Sequence, residues 1–263
     1  MNNIGSGMKK FKRIIVGAGC WSAGCILRGD ADTVVIDRHA AVGREFFDSY
    51  RECRSDGAPL NTPAARELQQ ELADRCKSGD ISALAPALYS KLYHLTDRFR
   101  LWTEITNIRR EADCWRLATH DVEGDKMVYG EELIDATPEC LTCPAFGRSN
   151  IAGMRLNAIV WTPDRGRWEN GSSLRPGRKA DEFVFSVEIP PETDWATARA
   201  LLLTAWRKRP ENWKSARICT IAGMFEYRIR MNSAKLGENY SYFNSAMFSD
   251  PLAALDYAGE ATC

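Results

Sequence analysis

The sequence has 263 residues with 35 Lys and Arg against 35 Asp and Glu, so it carries no net charge and no basic excess that would suit a nucleic acid. A chain of this mass hides roughly 73% of its extended surface on folding, enough for one large core or two coupled ones. No run of 18 apolar residues occurs and Met1 to Lys12 holds no apolar stretch, so neither a membrane span nor a secretion signal is expected, and the cytoplasm is the default location.

Phe11 to Val16 is a short apolar run that stops at Gly17-Ala18-Gly19, the pattern of a buried parallel strand entering a tight turn. Cys20 to Arg28 suits a short helix, with Ser22, Ala23 and Gly24 on a narrow face and Gly29-Asp30 as its stop. Thr33 to Asp37 reads as a second buried strand, which completes a βαβ unit with both strands in one sheet. Helices are expected over Pro63 to Lys77 and Ile81 to His94. The period then shortens. Phe99 to Trp102 reads as a strand, and Glu104 to Arg110, Cys114 to His120 and Lys126 to Tyr129 read as a three-stranded antiparallel meander.

Leu133 to Thr137 reads as a short buried strand ended by Pro138, and Pro144 to Gly153 as a loop. Strand candidates follow at Ala158 to Trp161, Phe183 to Ile189 and Tyr227 to Met231. One helix, Asp194 to Arg209, is bounded by Pro190-Pro191 and Pro210. Tyr240 to Phe243 is strand-like, and a last helix spans Pro251 to Glu260, with Asp250 as N-cap and Pro251 at its first position.

The chemistry begins at Gly17-x-Gly19. Gly17 permits the turn, and Gly19 lets backbone N–H groups and a helix N-terminus approach a pyrophosphate. Ser22 takes the third fingerprint position and is small enough for close helix–strand packing. Asp37 ends the second strand, where a carboxylate can bond a ribose hydroxyl. Cys140-Leu141-Thr142-Cys143 follows the Leu133 to Thr137 strand, at the sheet edge where ligands sit. A thiol pair there could relay electrons, but nine cysteines in the chain make such a spacing common by chance, and two inert thiols are the favoured reading. His39 and His94 read as surface or satisfied-core residues, Arg228 and Arg230 as a solvated sheet face, and Trp206 as core. No zinc spacing, G-x-S-x-G elbow, P-loop or H-E-x-x-H is found.

Asp37-Arg38-His39-Ala40-Ala41-Val42-Gly43 resembles the flavoprotein form of the fingerprint, in which a glycine near the flavin pyrophosphate follows the acid. Glu104-Ile105-Thr106-Asn107-Ile108 looks like the segment whose backbone meets the adenine ring, and Leu133 to Thr137 resembles an Ala-Thr-Gly strand end with Pro138 in place of the glycine. With the meander, residues 11–139 resemble the FAD-dependent oxidoreductases of the two-dinucleotide-binding-domain type. Ala198 to Arg209 followed by Ala216 to Arg230 is similar to the FAD-dependent oxidoreductase family found beside sugar- and amino-acid-modifying enzymes.

The resemblance implies an α/β fold. It comprises a Rossmann-like FAD/NAD(P)-binding domain with an antiparallel meander over 8–143, a smaller mixed α+β substrate domain over 144–238, and a return segment over 239–263. It implies FAD bound by Gly17, Ala18, Gly19, Cys20, Trp21, Ser22, Asp37, Arg38, Gly43, Arg44, Ile105 and Thr137, with no metal and no assigned catalytic residue. Arg44 stands where a second glycine often follows Gly43, and it either adds a cationic phosphate contact or blocks the flavin. Such chains usually return to the cofactor domain with a strand, a Gly-Asp turn and a long helix, and no Gly-Asp of that kind appears in the last 80 residues, so only Tyr240 to Cys263 can close the site. The helix after Ser249 either aims its N-terminus at the flavin or is capped by Asp250. The function implied is oxidation or reduction of a small organic substrate. An NAD(P)-dependent oxidoreductase and a non-catalytic or heteromeric dinucleotide-binding subunit remain the alternatives, and a homo-oligomer or a partner subunit stays open.

Overall fold

The computed structural model describes residues 9–30, 32–51, 59–75, 83–163, 173–177 and 179–260. Expectations for Met8, Lys77, Ile81 and the last residues before Cys263 lie outside these. Two sheets, one mixed and one antiparallel, make the fold α/β. β1 (Lys10–Val16) buries Arg13 to Val16 consecutively, as a strand covered on both faces must. It turns into α1 (Cys20–Leu27), where Cys20 to Ile26 are all buried. β2 (Thr33–Ile36) runs parallel to β1 with Ile14 opposite Val34. α2 (Arg44–Phe47), α3 (Pro63–Arg75) and α4 (Leu84–Leu92) follow, and Phe46, Leu68, Leu84 and Leu88 pack with α1, Ile15 and Val35 in one core.

β3 (Phe99–Arg100) extends the sheet parallel to β2. β4 (Glu104–Arg110), β5 (Trp115–Asp121) and the first half of β6 (Gly124–Asp135) pair antiparallel in succession. The sequence suggests two strands where β6 is one. Its second half runs parallel to β1, with Ile14 opposite Leu133. Gly130 makes this continuity sterically feasible: a Cβ there would lie 2.6 Å from Ile14 Cγ1, so the strand passes β1 only without a side chain.

The expected loop at 144–153 is also different. α5 (Pro144–Asn150) occupies most of it, because Pro144 sits in the first turn, where a missing N–H costs little. β7 (Ile151–Trp161) follows directly, so that strand is longer than Ala158 to Trp161. β8 (Leu174–Pro176), β9 (Glu182–Ile189), β10 (Arg217–Ile221) and β11 (Glu226–Ile229) complete the antiparallel sheet in the order β10-β7-β9-β8, with β11 on the other half of β7. Between β9 and β10, α6 (Trp195–Arg207) starts at Asp194, whose side chain accepts the Thr197 N–H. Its Ala198, Leu202 and Trp206 form the second core with Leu156, Val160 and Phe185.

β12 (Ser233–Gly237) and β13 (Tyr240–Phe243) return to the mixed sheet. β13 lies parallel beside β6, with Ser241 opposite Ile134, and β12 pairs antiparallel with it. The return therefore begins at β12, before residue 239. Asp250 caps α7 (Pro251–Glu260) by accepting the Leu252 N–H at 2.9 Å.

Asp256 on α7 is 6% exposed and accepts the N–H groups of Asn61 and Thr62 at 2.9 and 2.7 Å and the Thr62 hydroxyl at 2.7 Å. Burial alone would raise its carboxyl, but these donors outweigh it and hold it below the usual aspartate range. A depressed acid contributes stability that is present above its unfolded value and lost as pH falls. Asp256→Ala is expected to lower stability at neutral pH by about 1–3 kcal/mol, with the gap to wild type narrowing in acid. Urea midpoints at neutral and acid pH would show a constant gap if Asp256 had no such role.

Candidate functional site

A cleft of about 400 Å³ opens at the carboxyl ends of β1, β2 and β6, the edge where open α/β sheets hold ligands. The turn after β1 forms its floor, residues 37–39 and 103–108 one wall, and residues 136–139 the other. Arg44 and Glu45, Asn244 and Ser245 just past β13, and Met224 from the loop before β11 also line it.

The turn is held by backbone and carboxylate bonds. Gly17 has φ +104, and a Cβ there would lie 3.0 Å from Ala136 C and Thr137 N, so only glycine meets both demands. Its N–H donates to Ile36 O at 2.8 Å. Asp37 accepts the Ala18 N–H at 2.6 Å and the His39 N–H at 2.7 Å, with His39 Nδ1 at 2.9 Å. Burial pushes the Asp37 carboxyl up, but the His39 and Ala18 bonds prevail and hold it below its ordinary value.

Gly17, Ala18, Gly19, Asp37, Arg38, Arg44, Ile105 and Thr137 all line the cleft, whereas Cys20, Trp21, Ser22 and Gly43 do not. Trp21 is 2% exposed and packs against Phe243, with ring centroids 4.5 Å apart and the rings tilted by 31°. The Ser22 hydroxyl donates to Gly17 O at 2.6 Å, bracing the turn from beneath. Gly43 ties its loop to the turn through an N–H bond to Ala18 O at 2.8 Å. Arg44 is answered locally by Asp48, with Nε 2.7 Å from Oδ2. Asp250 caps its own helix and is absent from the lining.

Several cleft residues carry no sequence signal. Glu45 is 8% exposed and accepts the Cys20 N–H at 2.7 Å and the Ser245 hydroxyl at 2.6 Å. Burial raises its carboxyl, opposed by these bonds and by the Arg51 charge. Its partner Ser245 lies 200 positions away, a separation at which local pattern says nothing. Glu139 stands at the border with the antiparallel sheet, 3.4 Å from the Arg38 guanidinium and bonded to the Tyr227 phenol of β11. Burial raises both Glu139 and Tyr227.

Beneath the far wall, Asp135 is fully buried. It accepts the N–H and hydroxyl of Thr137 at 2.8 and 2.6 Å and those of Thr142 at 2.6 Å each. Burial raises its carboxyl against the pull of these donors. Cys140 and Cys143 are both free thiols. Cys140 is fully buried and its thiol is pushed far up by burial and by Asp135, the opposite of what a reactive thiolate needs. Arg228 pairs with Glu188 at 3.4 Å on an exposed face, and Trp206 is in the core. Among the described residues, no cluster of His, Cys, Asp or Glu is set to hold a metal, and no helix is long and apolar enough to cross a membrane.

No family model matches the sequence. No curated protein matches it either. Among solved structures, the p-nitrophenol 4-monooxygenase PnpA from Pseudomonas putida DLL-E4 aligns with TM-score 0.54 and 10% identity over 95% of this chain and 76% of its own. The rebeccamycin biosynthetic enzyme RebC, solved with reduced flavin, gives 0.53 and 12% over 90% of this chain and 56% of its own. The anhydrotetracycline hydroxylase OxyS from Streptomyces rimosus gives 0.53 and 11% over 89% and 55%. This chain thus spans a little more than half the length of RebC and OxyS. What these likenesses show is a shared fold.

Proposed function

We propose that this chain is an FAD-dependent oxidoreductase acting on a small organic substrate. The observation that carries the reading is the cleft itself: a glycine turn and an aspartate at the carboxyl ends of adjacent parallel strands, in a fold shared with RebC, which was solved with reduced flavin, and with a monooxygenase and a hydroxylase. The residues fit the adenosine half of the cofactor. Gly17 permits the tight turn at the head of the cleft, Asp37 would offer a carboxylate to the ribose, the Ile105 segment would meet the adenine, and Arg38, Arg44 and Thr137 would lie toward the phosphates.

In this reading residues 9–143 form a Rossmann-like domain, closed by β12, β13 and α7, with β4, β5 and β6 in place of a crossover helix. The antiparallel sheet and α6 form the substrate domain, and Glu139 and Met224 mark the border where a substrate would meet the cofactor. When bound, the flavin supplies the electron chemistry, and the chain binds, orients and excludes water.

Purified protein is expected to be yellow, and mass spectrometry of the released ligand separates FAD from NAD(P). Asp37→Ala removes a charge-assisted ribose bond of about 1.5–3 kcal/mol, so the dissociation constant for FAD should rise roughly 10- to 150-fold. A change below about threefold in a fluorescence titration would reject the ribose assignment.

A further inference from the structure

The turn between β1 and α1 offers backbone donors to an anion, and carboxylates of this chain already hold two of them: Asp37 takes the Ala18 N–H and Glu45 takes the Cys20 N–H. Glu45 is the one that stands over the glycine meant to face a pyrophosphate. A Cβ on Gly19 would lie 2.8 Å from Glu45 Oε1 and 2.6 Å from Ser245 Oγ, so the room that glycine creates is filled by a side chain. A carboxylate and a phosphate oxygen compete for the same donors, and in a site shielded from water they repel strongly.

We propose that Glu45 gates the pyrophosphate seat: a phosphate-bearing ligand binds only when this carboxyl is protonated or swung off the Cys20 N–H, so that binding takes up a proton. The inference rests on the FAD reading of the cleft and deepens it. Ser245 and Cys20 donate to the carboxylate, and the Arg51 guanidinium favours its charged form. Asp37, His39, Arg38 and Arg44 also line the cleft around the turn, and the Cys20 thiol lies against Gly43. Burial already pushes the Glu45 carboxyl above the ordinary glutamate range, and an arriving anion pushes it further the same way. A group whose pKa rises on binding makes affinity greatest in acid and weaker as pH climbs, by up to about tenfold per pH unit within the window between its free and bound values.

The test titrates FAD into ligand-free protein from about pH 5.5 to about pH 8.5, a range in which the pyrophosphate diester does not ionise, with adenosine as a phosphate-free probe. Wild-type affinity for FAD is expected to fall about tenfold or more across the range. Glu45→Gln should hold near the wild type's acid value throughout, and adenosine should bind both proteins without a slope. A flat wild-type profile overturns the gate. So does a slope that survives in Glu45→Gln, which would assign the proton to another group, or FAD binding by that variant that is weaker than wild type at every pH. Should Glu45→Gln not fold by circular dichroism, His39→Gln decides: a retained slope supports the gate and a lost one overturns it. If neither FAD nor adenosine binds at any pH, the nucleotide reading of the cleft fails and the gate with it; FAD binding without a slope removes the gate alone.

Discussion

Gly24→Val is expected to cost about 3 kcal/mol or more, the upper end of the overpacking range. α1 is buried on every side, and at Gly24 it meets α7 backbone to backbone. A Cβ there would overlap the Leu255 carbonyl oxygen and lie 2.7 Å from Ala258 Cβ. Neither neighbour is a flexible side-chain end, so relief requires α7 to move off α1. That movement would strain the Asp256 bonds to Asn61 and Thr62 and loosen the segment that carries Ser245. Thermal and urea unfolding should both shift, and a shift under about 1 kcal/mol would mean that the helices separate at little cost.

Asp135→Ala should be the most damaging change near the cleft, at about 3–5 kcal/mol. It strands four donors, two N–H groups and two hydroxyls, that converge on a fully buried carboxylate, and unpaired buried donors cost more than their bonds contribute. Thr142 also meets the Tyr240 hydroxyl at 2.8 Å, so the loss would spread to β13. FAD binding should weaken in parallel, since Thr137 would lose what fixes it in the wall. Asp135→Asn keeps the shape and one acceptor oxygen and should fall between the two. A variant with full stability would show that the threonines find other partners.

The first βαβ unit could be read directly because its signals are local: an apolar run, a glycine turn, and an acid where the next strand ends. What escaped the sequence has one physical cause, contact between segments far apart in it. Glu45 reads as an ordinary acid after a glycine, and its role exists only because Ser245 and the Cys20 N–H converge on it. Trp21 and Ser22 sit inside the fingerprint yet face the core, since an eight-residue helix buried all round leaves its side chains no route to a ligand. β6 reads as two pieces in the sequence, because what lets the strand run on at Gly130 is its close passage by Ile14, a residue far away in the chain. β8 and β10 are short and gave no alternation to follow.

The position of β13 bears on how the chain is made. Along the mixed sheet the order is β12-β13-β6-β1-β2-β3, so the strand beside β6 emerges from the ribosome only after every strand of the antiparallel sheet has emerged. Until Tyr240 to Phe243 emerge, β6 carries an unpaired edge, and unpaired edges are templates for association between chains. The antiparallel sheet is built from a continuous stretch of sequence and can form during that interval, while the parallel pairing waits for a distant segment, a slow step by its topology. A newly made chain therefore holds one finished sheet and one open one, and it is in that interval, before the last strand docks, that a chaperone covering the β6 edge would matter most.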